Sequence, residues 1–295
     1  MIRDHEQPAA TPGADGVLEL PDPGVPSTAG DGSEGAILVP TSSYGPEGWD
    51  RRESPVPREE PVTVVVNGTE LVTLLASPGE RAALVAGFLY DEGIVDRIEQ
   101  IETLEEDEDG VRVEAQGVTV SLRLFERRVL GSGCGKAFAF ASALDAFAAA
   151  GRSLPAERPW AGASAVTAAA AATYSGGGLY RRTRGTHAAA LFERSGRMVG
   201  LAEDIGRHNA VDKVVGRRLL AGRGLGDLFM VVTGRISSEM VGKMAKTPIP
   251  LIVSKSVPTD LALDYAQRIS LAVVGRVSAQ RMRVYTFPEL IDWEG

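Results

Sequence analysis

Residues 228–287 read LFMVVTGRISSEMVGKMAKTPIPLIVSKSVPTDLALDYAQRISLAVVGRVSAQRMRVYTF. Short runs rich in Val, Leu and Ile alternate here with segments whose apolar residues have helical spacing. This pattern predicts three strands joined by two helices, followed by one more strand. Repeats of this length form right-handed crossovers onto a parallel sheet that helices cover on both faces. The stretch therefore predicts an α/β fold for the larger part of the chain.

The segments before this stretch extend the pattern. One Ala/Phe-rich helix is predicted directly after Cys134, and a second, Ala-rich helix over about residues 162–173. HAAALFE and RMVGLAE flank Ser195-Gly196 and predict a hairpin, and HNAVDKVVGRRLL predicts another helix. Together they predict an α/β domain with a mixed or parallel sheet over residues 129–295.

Residues 61–128 predict a small α+β lobe. VTVVV and TELVTLLA flank an Asn-Gly pair at 67–68, which suits the positive φ angles of a type I′ turn. SPGE at 77–80 predicts a helix start with a capping box. The acidic residues 102–109 predict a solvated loop, and a second hairpin is predicted to turn at 116–117.

Residues 1–60 are rich in Pro and Gly. Ten of the 17 prolines fall at or before Pro61, and apolar clusters are sparse. Such a segment buries too little apolar surface to offset its ordering entropy, so we predict a disordered tail.

Composition and charge exclude several classes of protein. The net charge of −8 argues against non-specific binding to nucleic acid or to an anionic membrane. One cysteine, Cys134, excludes an intramolecular disulfide framework and a Cys-rich zinc or iron–sulfur site within one chain. No apolar run is long enough to span a membrane and no signal peptide is evident, so we expect a cytoplasmic protein.

Cys134 is the first candidate for chemistry. It lies in GSGCGK, where glycines leave the sulfur open to approach. The predicted helix start and Lys136 both favour the thiolate, which is the nucleophilic form. The alternative is a small buried core residue, because free cysteine is often buried.

The second candidate is EDIGRHN, residues 203–209, in the turn between a strand and a helix. It contains Asp204, Arg207 and His208. The alternative is local structure: Asp204 or Asn209 caps the helix, and Arg207 pairs with Glu203. His187 enters a strand after a Gly-rich loop, and such a histidine is either structural or part of a Cys–His pair.

The third candidate is a set of residues where predicted strands end. Thr233-Gly234-Arg235 follows one strand, Lys255 the next, and residues 276–281 the third. The carboxyl ends of parallel strands form a ligand crevice, where helix N-termini and cations attract phosphate. Ordinary capping and surface charge are the alternative at each position, and there is no Walker A or GxGxxG motif.

Several ordered motifs resemble the formate dehydrogenase accessory sulfurtransferases, the FdhD/NarQ family. The resemblance covers about residues 62–287. The motifs are GFLYDEGIV (87–95), GSGCGK (131–136), GTHAAALF (185–192), EDIGRHNAVDKVVG (203–216), TGRISSEMVGKMAK (233–246) and VPTDLALDYA through VYT (257–286).

The resemblance implies a cytidine-deaminase-like α/β core without the deaminase zinc site, in a homodimer. It also implies a sulfur carrier that accepts sulfur from a cysteine desulfurase as a persulfide on Cys134. The sulfur would pass to the molybdenum cofactor, bis(molybdopterin guanine dinucleotide), before the cofactor enters formate dehydrogenase.

The resemblance also assigns a cofactor-binding stretch. It comprises Arg276, Val277, Ser278, Ala279, Gln280 and Arg281. Combined with the strand-end pattern, it predicts that Arg235, Lys255 and Arg281 hold the nucleotide and its phosphates. Asp204, Arg207, His208 and His187 are predicted to shape the site beside the cysteine.

The chain departs from the family pattern at three places. Ala137 stands where many members have a second cysteine, Arg276 and Ser278 stand where aromatic and basic residues are expected, and Arg184 replaces a usual glycine. The loss of the second cysteine favours one alternative, a non-catalytic cofactor chaperone in which Cys134 is structural. The other alternative is a deaminase-type nucleotide enzyme, although the H-x-E and P-C-x-x-C zinc ligands are missing.

Overall fold

The structure is a computed structural model that describes residues 35–118, 129–130, 136–137 and 153–294. The part before residue 119 has a two-stranded hairpin, a four-stranded sheet and a helix. In chain order these are β1 (Ala36–Gly45), β2 (Gly48–Pro57), β3 (Glu60–Val66), β4 (Thr69–Ala76), α1 (Arg81–Asp91), β5 (Ile101–Glu106) and β6 (Gly110–Ala115).

The part from residue 129 contains the larger sheet and its helices. Its elements are β7 (Val129–Leu130), β8 (Lys136–Ala137), β9 (Ala161–Gly162), α2 (Ala163–Gly176), α3 (Gly178–Thr183), β10 (His187–Glu193), β11 (Met198–Asp204), α4 (Arg207–Leu220), β12 (Leu228–Val232), α5 (Ser238–Ala245), β13 (Leu251–Ser254), α6 (Asp260–Arg268), β14 (Ala272–Gly275), β15 (Arg283–Thr286) and β16 (Ile291–Asp292). None of the helices in the described ranges is long and apolar enough to cross a membrane.

The larger sheet has six strands in the order β11-β10-β12-β13-β14-β15. β12, β13 and β14 are parallel, and the other neighbours pair antiparallel. α5 and α6 connect the parallel strands, as the sequence predicts. This confirms an α/β fold with a mixed sheet.

Successive residues of the central strands pack on opposite faces of the sheet. Met230 and Val232 join the core beneath α4, α5 and α6. Phe229 and Val231 join the core beneath α2. Central strands buried on both faces explain the continuous apolar runs in the sequence.

The small α+β lobe precedes this domain, which confirms that part of the predicted fold class. Its sheet has the order β4-β3-β6-β5, and α1 packs on it. Asn67 and Gly68 have φ angles of 49° and 75°, as the predicted type I′ turn requires. The prediction of a loop over residues 102–109 is wrong, because β5 occupies most of it as an edge strand paired with β6.

The lobe and the larger domain meet where α1 crosses α4. A Cβ atom on Gly87 would lie 1.9 Å from the Asp212 carbonyl oxygen, and one on Gly216 would lie 2.0 Å from the Ala83 carbonyl oxygen. The helices therefore approach backbone to backbone. Beside this crossing, buried Lys243 forms ion pairs with Asp212 (2.7 Å) and with Glu92 of the lobe (3.0 Å).

Ser77 also connects the two parts. The sequence predicts that it caps α1, but α1 begins after Glu80 without a side-chain cap. Instead the Ser77 hydroxyl accepts a hydrogen bond from the Ile205 N–H (3.1 Å), and the Ser77 backbone carbonyl accepts one from Lys213 Nζ (2.8 Å). The capping prediction is wrong because the hydroxyl has a partner distant in sequence.

Residues 36–57 form a β-hairpin, so the prediction of a disordered tail is wrong for them. β1 and β2 pair along their whole length, from Ala36↔Pro57 to Gly45↔Gly48. The apolar run at residues 36–39 favours a strand, and the Gly-rich turn at 45–48 closes the hairpin. The base of the hairpin packs on α3, with Gly35 against Leu179. Residues 1–34 lie outside the described residues.

Candidate functional site

One edge of the larger sheet collects most of the predicted site residues. The parallel strands β12, β13 and β14 all end there, next to Arg235, Lys255 and Arg276. β10 runs antiparallel to β12, so it begins at this edge with His187. The carboxyl edge of the sheet therefore carries several cations, as the strand-end pattern predicts.

A pocket of about 360 Å³ opens at this edge, at the start of β10. His187 and Thr233 lie side by side in it, with 3.4 Å between His187 Nδ1 and Thr233 Oγ1. Burial, with the charge of Arg207, lowers the pKa of His187, so the imidazole is neutral at neutral pH. The described lining residues are Thr173, Tyr174, Gly177, Tyr180, Arg184, Gly185, Thr186, His187, Ala188 and Thr233.

Two tyrosines of the pocket each have a cation over the ring. Lys255 Nζ lies 5.2 Å from the centre of the Tyr174 ring, and the Arg184 guanidinium lies 5.3 Å from the Tyr180 ring centre. The Tyr174 hydroxyl donates to the Val232 carbonyl (3.1 Å) and accepts from the Lys255 N–H (2.7 Å). Tyr174 therefore fixes the backbone of Lys255 beside the pocket.

Arg184 has an unusual backbone conformation. It ends α3 in the left-handed region, with φ 56°, where a glycine is usual. Gly185 follows it and must stay small, because a Cβ there would lie 2.8 Å from the Pro57 ring. The left-handed conformation destabilises the folded protein by about 1 kcal/mol, and an exposed cation–π contact stabilises it by a similar amount. Arg184 thus adds little net stability.

Glu203 has a role that the sequence analysis missed. Its carboxylate accepts hydrogen bonds from the N–H groups of Leu179 (2.8 Å) and Tyr180 (2.7 Å) at the start of α3. This contact orients the helix that forms one wall of the pocket. The predicted alternative, a Glu203–Arg207 pair, is wrong, because Arg207 faces Glu239.

Asp204 lies inside the protein and its carboxylate is fully occupied. It forms an ion pair with Lys213 (2.8 Å) and accepts hydrogen bonds from Ser77 N–H, Gly206 N–H and Asn209 Nδ2 at 2.8–3.0 Å. Both Asp204 and Lys213 are buried. Asp204 therefore holds the β11–α4 turn and the lobe together and does not reach the pocket. It does not cap α4, whose N-cap is Gly206.

Arg207 and His208 form a second buried cluster with Glu239. Glu239 Oε2 lies 3.6 Å from Arg207 Nη2 and 3.4 Å from His208 Nε2, beyond hydrogen-bond length. These side-chain atoms, together with the Ser237 hydroxyl, have no hydrogen-bond partner within the described part of the chain. The sequence analysis did not select Glu239 or Ser237 as site residues, because both read as ordinary residues of a helix start.

Electrostatics keeps His208 neutral. Burial, with the nearby charges of Lys243 and Arg207, lowers its pKa to about 3. Burial raises the pKa of Glu239 above its usual value. Arg207, His208 and Glu239 are thus a buried cation, a neutral imidazole and a carboxyl group whose ionised form is disfavoured.

The predicted cofactor-binding stretch, residues 276–281, forms the link between β14 and β15. Arg276 is exposed and left-handed (φ 50°), and its N–H donates to the Ser256 carbonyl. Val277 is buried in the core beneath α2, so its side chain cannot contact a ligand. The exposed members are Arg276, Ser278, Ala279, Gln280 and Arg281.

Cys134 lies outside the described residues. The short strands β7 and β8, before and after it in the chain, pair with each other through Val129↔Ala137 and Leu130↔Lys136. The prediction of a helix directly after Cys134 is therefore wrong at Lys136 and Ala137, whose backbone belongs to this pair. Among the described residues, no group of three His, Cys, Asp or Glu side chains could hold a metal ion.

This geometry defines an α/β protein with a pocket at the carboxyl edge of a mixed sheet. The FdhD/NarQ family model matches residues 57–292, and the chain belongs to that family. A sulfur carrier protein FdhD of Bacillus subtilis (strain 168) is 36% identical over 79% of this chain and 88% of the relative. The one of Shouchella clausii (strain KSM-K16) is 34% identical over 82% and 91%.

A solved structure matches as well. It is a Desulfotalea psychrophila protein described as a formate dehydrogenase accessory protein, with 25% identity and a TM-score of 0.71. The match covers 87% of this chain and 99% of that one. The family predicted from the motifs is thus confirmed.

Proposed function

We propose that this protein is a sulfur carrier that serves formate dehydrogenase. It accepts sulfur from a cysteine desulfurase as a persulfide on Cys134, passes that sulfur to the molybdenum cofactor, bis(molybdopterin guanine dinucleotide), and works in the cytoplasm as a homodimer. One observation carries the proposal: relatives named as sulfur carriers match about four-fifths of the chain, and Cys134 is its only thiol.

The first step is a thiol exchange. The Cys134 thiolate attacks the terminal sulfur of the desulfurase persulfide, the desulfurase S–S bond breaks, and the desulfurase thiolate leaves. Cys134 then carries the persulfide. The glycines around Cys134 leave it open to a large donor, and Lys136 supplies a cation nearby in the sequence. This step needs one cysteine, so Ala137 does not prevent it.

The cofactor is the substrate of the second step. We place its nucleotide end in the pocket at the sheet edge. Its volume of about 360 Å³ is at the lower end of the range for small-molecule sites. This volume suits one nucleotide, and it is too small for the whole cofactor. Lys255 and Arg184, which lie over the Tyr174 and Tyr180 rings, place cations beside the pocket. Arg235, Lys255 and Arg281 lie at or beyond the same sheet edge, where cations attract phosphate.

His187 and the second buried cluster are proposed to shape the site. His187 is neutral, and its Nδ1 faces Thr233, so it offers a polar contact without charge. Arg207 and His208 lie behind this edge, where the charge of Arg207 acts on His187. Asp204 contributes through the fold, because its carboxylate is fully occupied.

Mass spectrometry tests the carrier chemistry. The protein is incubated with a cysteine desulfurase and cysteine, beside Cys134→Ser and the matched control Ser132→Ala. We expect the wild type and the control to gain the mass of one sulfur atom, removable by a reductant, and Cys134→Ser to gain none. No gain in the wild type with a competent desulfurase would contradict the proposal.

A second measurement separates the carrier from the cofactor chaperone that the missing second cysteine favours. The three proteins are supplied to cells that lack their own copy, and formate dehydrogenase activity is measured. A sulfur carrier requires Cys134, so we expect no activity with Cys134→Ser. Full activity with that variant would identify a chaperone with a structural Cys134.

A further inference from the structure

Arg184 stands where the backbone favours glycine, and nothing in the fold requires its side chain. Its φ of 56° is the left-handed conformation in which glycine is the usual residue. Its side chain is exposed and therefore gains little from burial. A strained non-glycine residue beside a pocket points to a use for its side chain.

Arg184 sets the charge of the pocket. Among the described residues that line it, Arg184 alone carries a permanent charge, since His187 is neutral and no carboxylate is present. The carboxylate of Glu203 lies behind this wall, where it accepts hydrogen bonds from the N–H groups of Leu179 and Tyr180 at the start of α3. Arg184 thus places a cation on the lining of this pocket, in a chain whose net charge is −8. A cation at this position favours an anionic group of a ligand beside it.

The guanidinium is also held in place. It lies over the Tyr180 ring, and the carboxylate of Glu203 orients the backbone of Tyr180. Glycine at position 185 lets Pro57 of the hairpin pack against the residue that follows Arg184. A planar guanidinium in a fixed orientation can donate two parallel hydrogen bonds to phosphate oxygens, which an ammonium group cannot.

We propose that Arg184 is a specificity-determining residue that binds a phosphate of the nucleotide in this pocket. The inference rests on the proposed function, in which the pocket receives the nucleotide end of the cofactor. It adds a contact at a position where the resemblance implies a glycine.

Calorimetric titration of the full-length protein tests the inference, with guanosine, guanosine monophosphate and guanosine diphosphate as probes. The variants are Arg184→Gly and Arg184→Lys. Arg181→Ala is the matched control, because it removes the same charge from an exposed position of α3 that does not line the pocket. Melting temperatures check that each variant folds.

We expect Arg184→Gly to weaken binding of the diphosphate about tenfold, the usual size of one lost charge-assisted hydrogen bond. Binding of guanosine should change less than about twofold, and Arg184→Lys should keep part of the phosphate affinity. Arg181→Ala should bind like the wild type. The Arg184→Gly protein should melt no lower than the wild type, because glycine relieves the left-handed strain.

Three outcomes would overturn the inference. Unchanged diphosphate affinity in Arg184→Gly would remove Arg184 from the site. An equal loss for guanosine and the diphosphate would mean that Arg184 acts through the Tyr180 ring and not on phosphate. A wild type that binds none of the probes would refute the nucleotide pocket itself, while the persulfide experiment would still stand on its own result.

Discussion

Two buried ionic clusters lie within a few residues of each other where β11 passes into α4, and they are built differently. In the first, the Asp204 carboxylate has an ion pair with Lys213 and three further hydrogen-bond donors. In the second, Glu239 faces Arg207 and His208 at 3.4–3.6 Å without a hydrogen bond. Both draw on the EDIGRHN motif, which sequence analysis treated as one site.

The difference separates structure from reactivity within one motif. A buried charge with every hydrogen bond satisfied stabilises one conformation, and its removal leaves the partner unpaired. Buried polar groups without hydrogen bonds cost free energy, and proteins keep few of them. The first cluster therefore belongs to the joint between lobe and domain, and the second contains the groups to which we assign the proposed role at the sheet edge.

Lys213→Met should have the largest effect, because it leaves Asp204 buried without its cation. We expect a loss of about 3–5 kcal/mol in the free energy of unfolding, measured by urea denaturation. The double variant Asp204→Asn/Lys213→Met should recover part of this loss, since it removes both charges. A single variant as stable as the wild type would contradict the assignment of this cluster to the joint.

His208 should make stability depend on pH. Its pKa is about 3 in the folded protein, below its usual 6.5, so between these values the unfolded chain binds a proton that the folded protein does not. Stability therefore falls as the pH drops. We expect the wild type to lose up to about 1.4 kcal/mol per pH unit relative to His208→Gln between about pH 6 and pH 4.

The control for this pH prediction is His187→Gln. The pKa of His187 is also lowered, but its imidazole is less buried and Asp204 partly offsets the effect, so the difference from the wild type should be smaller. Parallel pH curves for the wild type and His208→Gln would contradict the neutral, buried state of His208.

Glu239→Gln should change stability least. Its carboxylate has no hydrogen bond to lose within the described residues, so the free energy of unfolding should change by less than about 1 kcal/mol. The rate of the proposed sulfur transfer from Cys134 to the cofactor should fall roughly tenfold, because Arg207 and His208 lose the group that faces them. A loss of stability as large as that of Lys213→Met would make the two clusters alike.

Local signals in the sequence were sufficient to predict much of the fold. The Asn67-Gly68 turn needs positive φ at both residues, and few other pairs allow it. Threonine is a usual N-cap residue, and the Thr259 hydroxyl at the start of α6 accepts a hydrogen bond from the Ala262 N–H. The β12–β14 strands were also predictable, because burial on both faces leaves a continuous apolar run.

Contacts between distant residues were not predictable in this way. Ser77 resembles a cap, but its hydrogen-bond partner lies 128 residues away at Ile205. Glu203 lies in β11, which follows α3 in the chain, and its contact with α3 depends on how the two elements pack. Glu239 faces Arg207 only because the folding of β12 and α5 brings them together. Disorder over residues 36–57 was predicted from composition. The average composition of residues 1–60 conceals the short apolar run at residues 36–39, which pairs in β1.

The crossing of α1 and α4 limits how this protein can be divided. Gly87 and Gly216 bring the helices together without space for a side chain, and Lys243 of the larger domain depends on Glu92 of the lobe. A cut between them would uncover the faces on which α1 and α4 pack, and it would take Glu92 away from Lys243, which would keep only Asp212 as its partner. The lobe and the domain therefore form one cooperative unit, and neither is a module that evolution or a protein engineer can exchange alone.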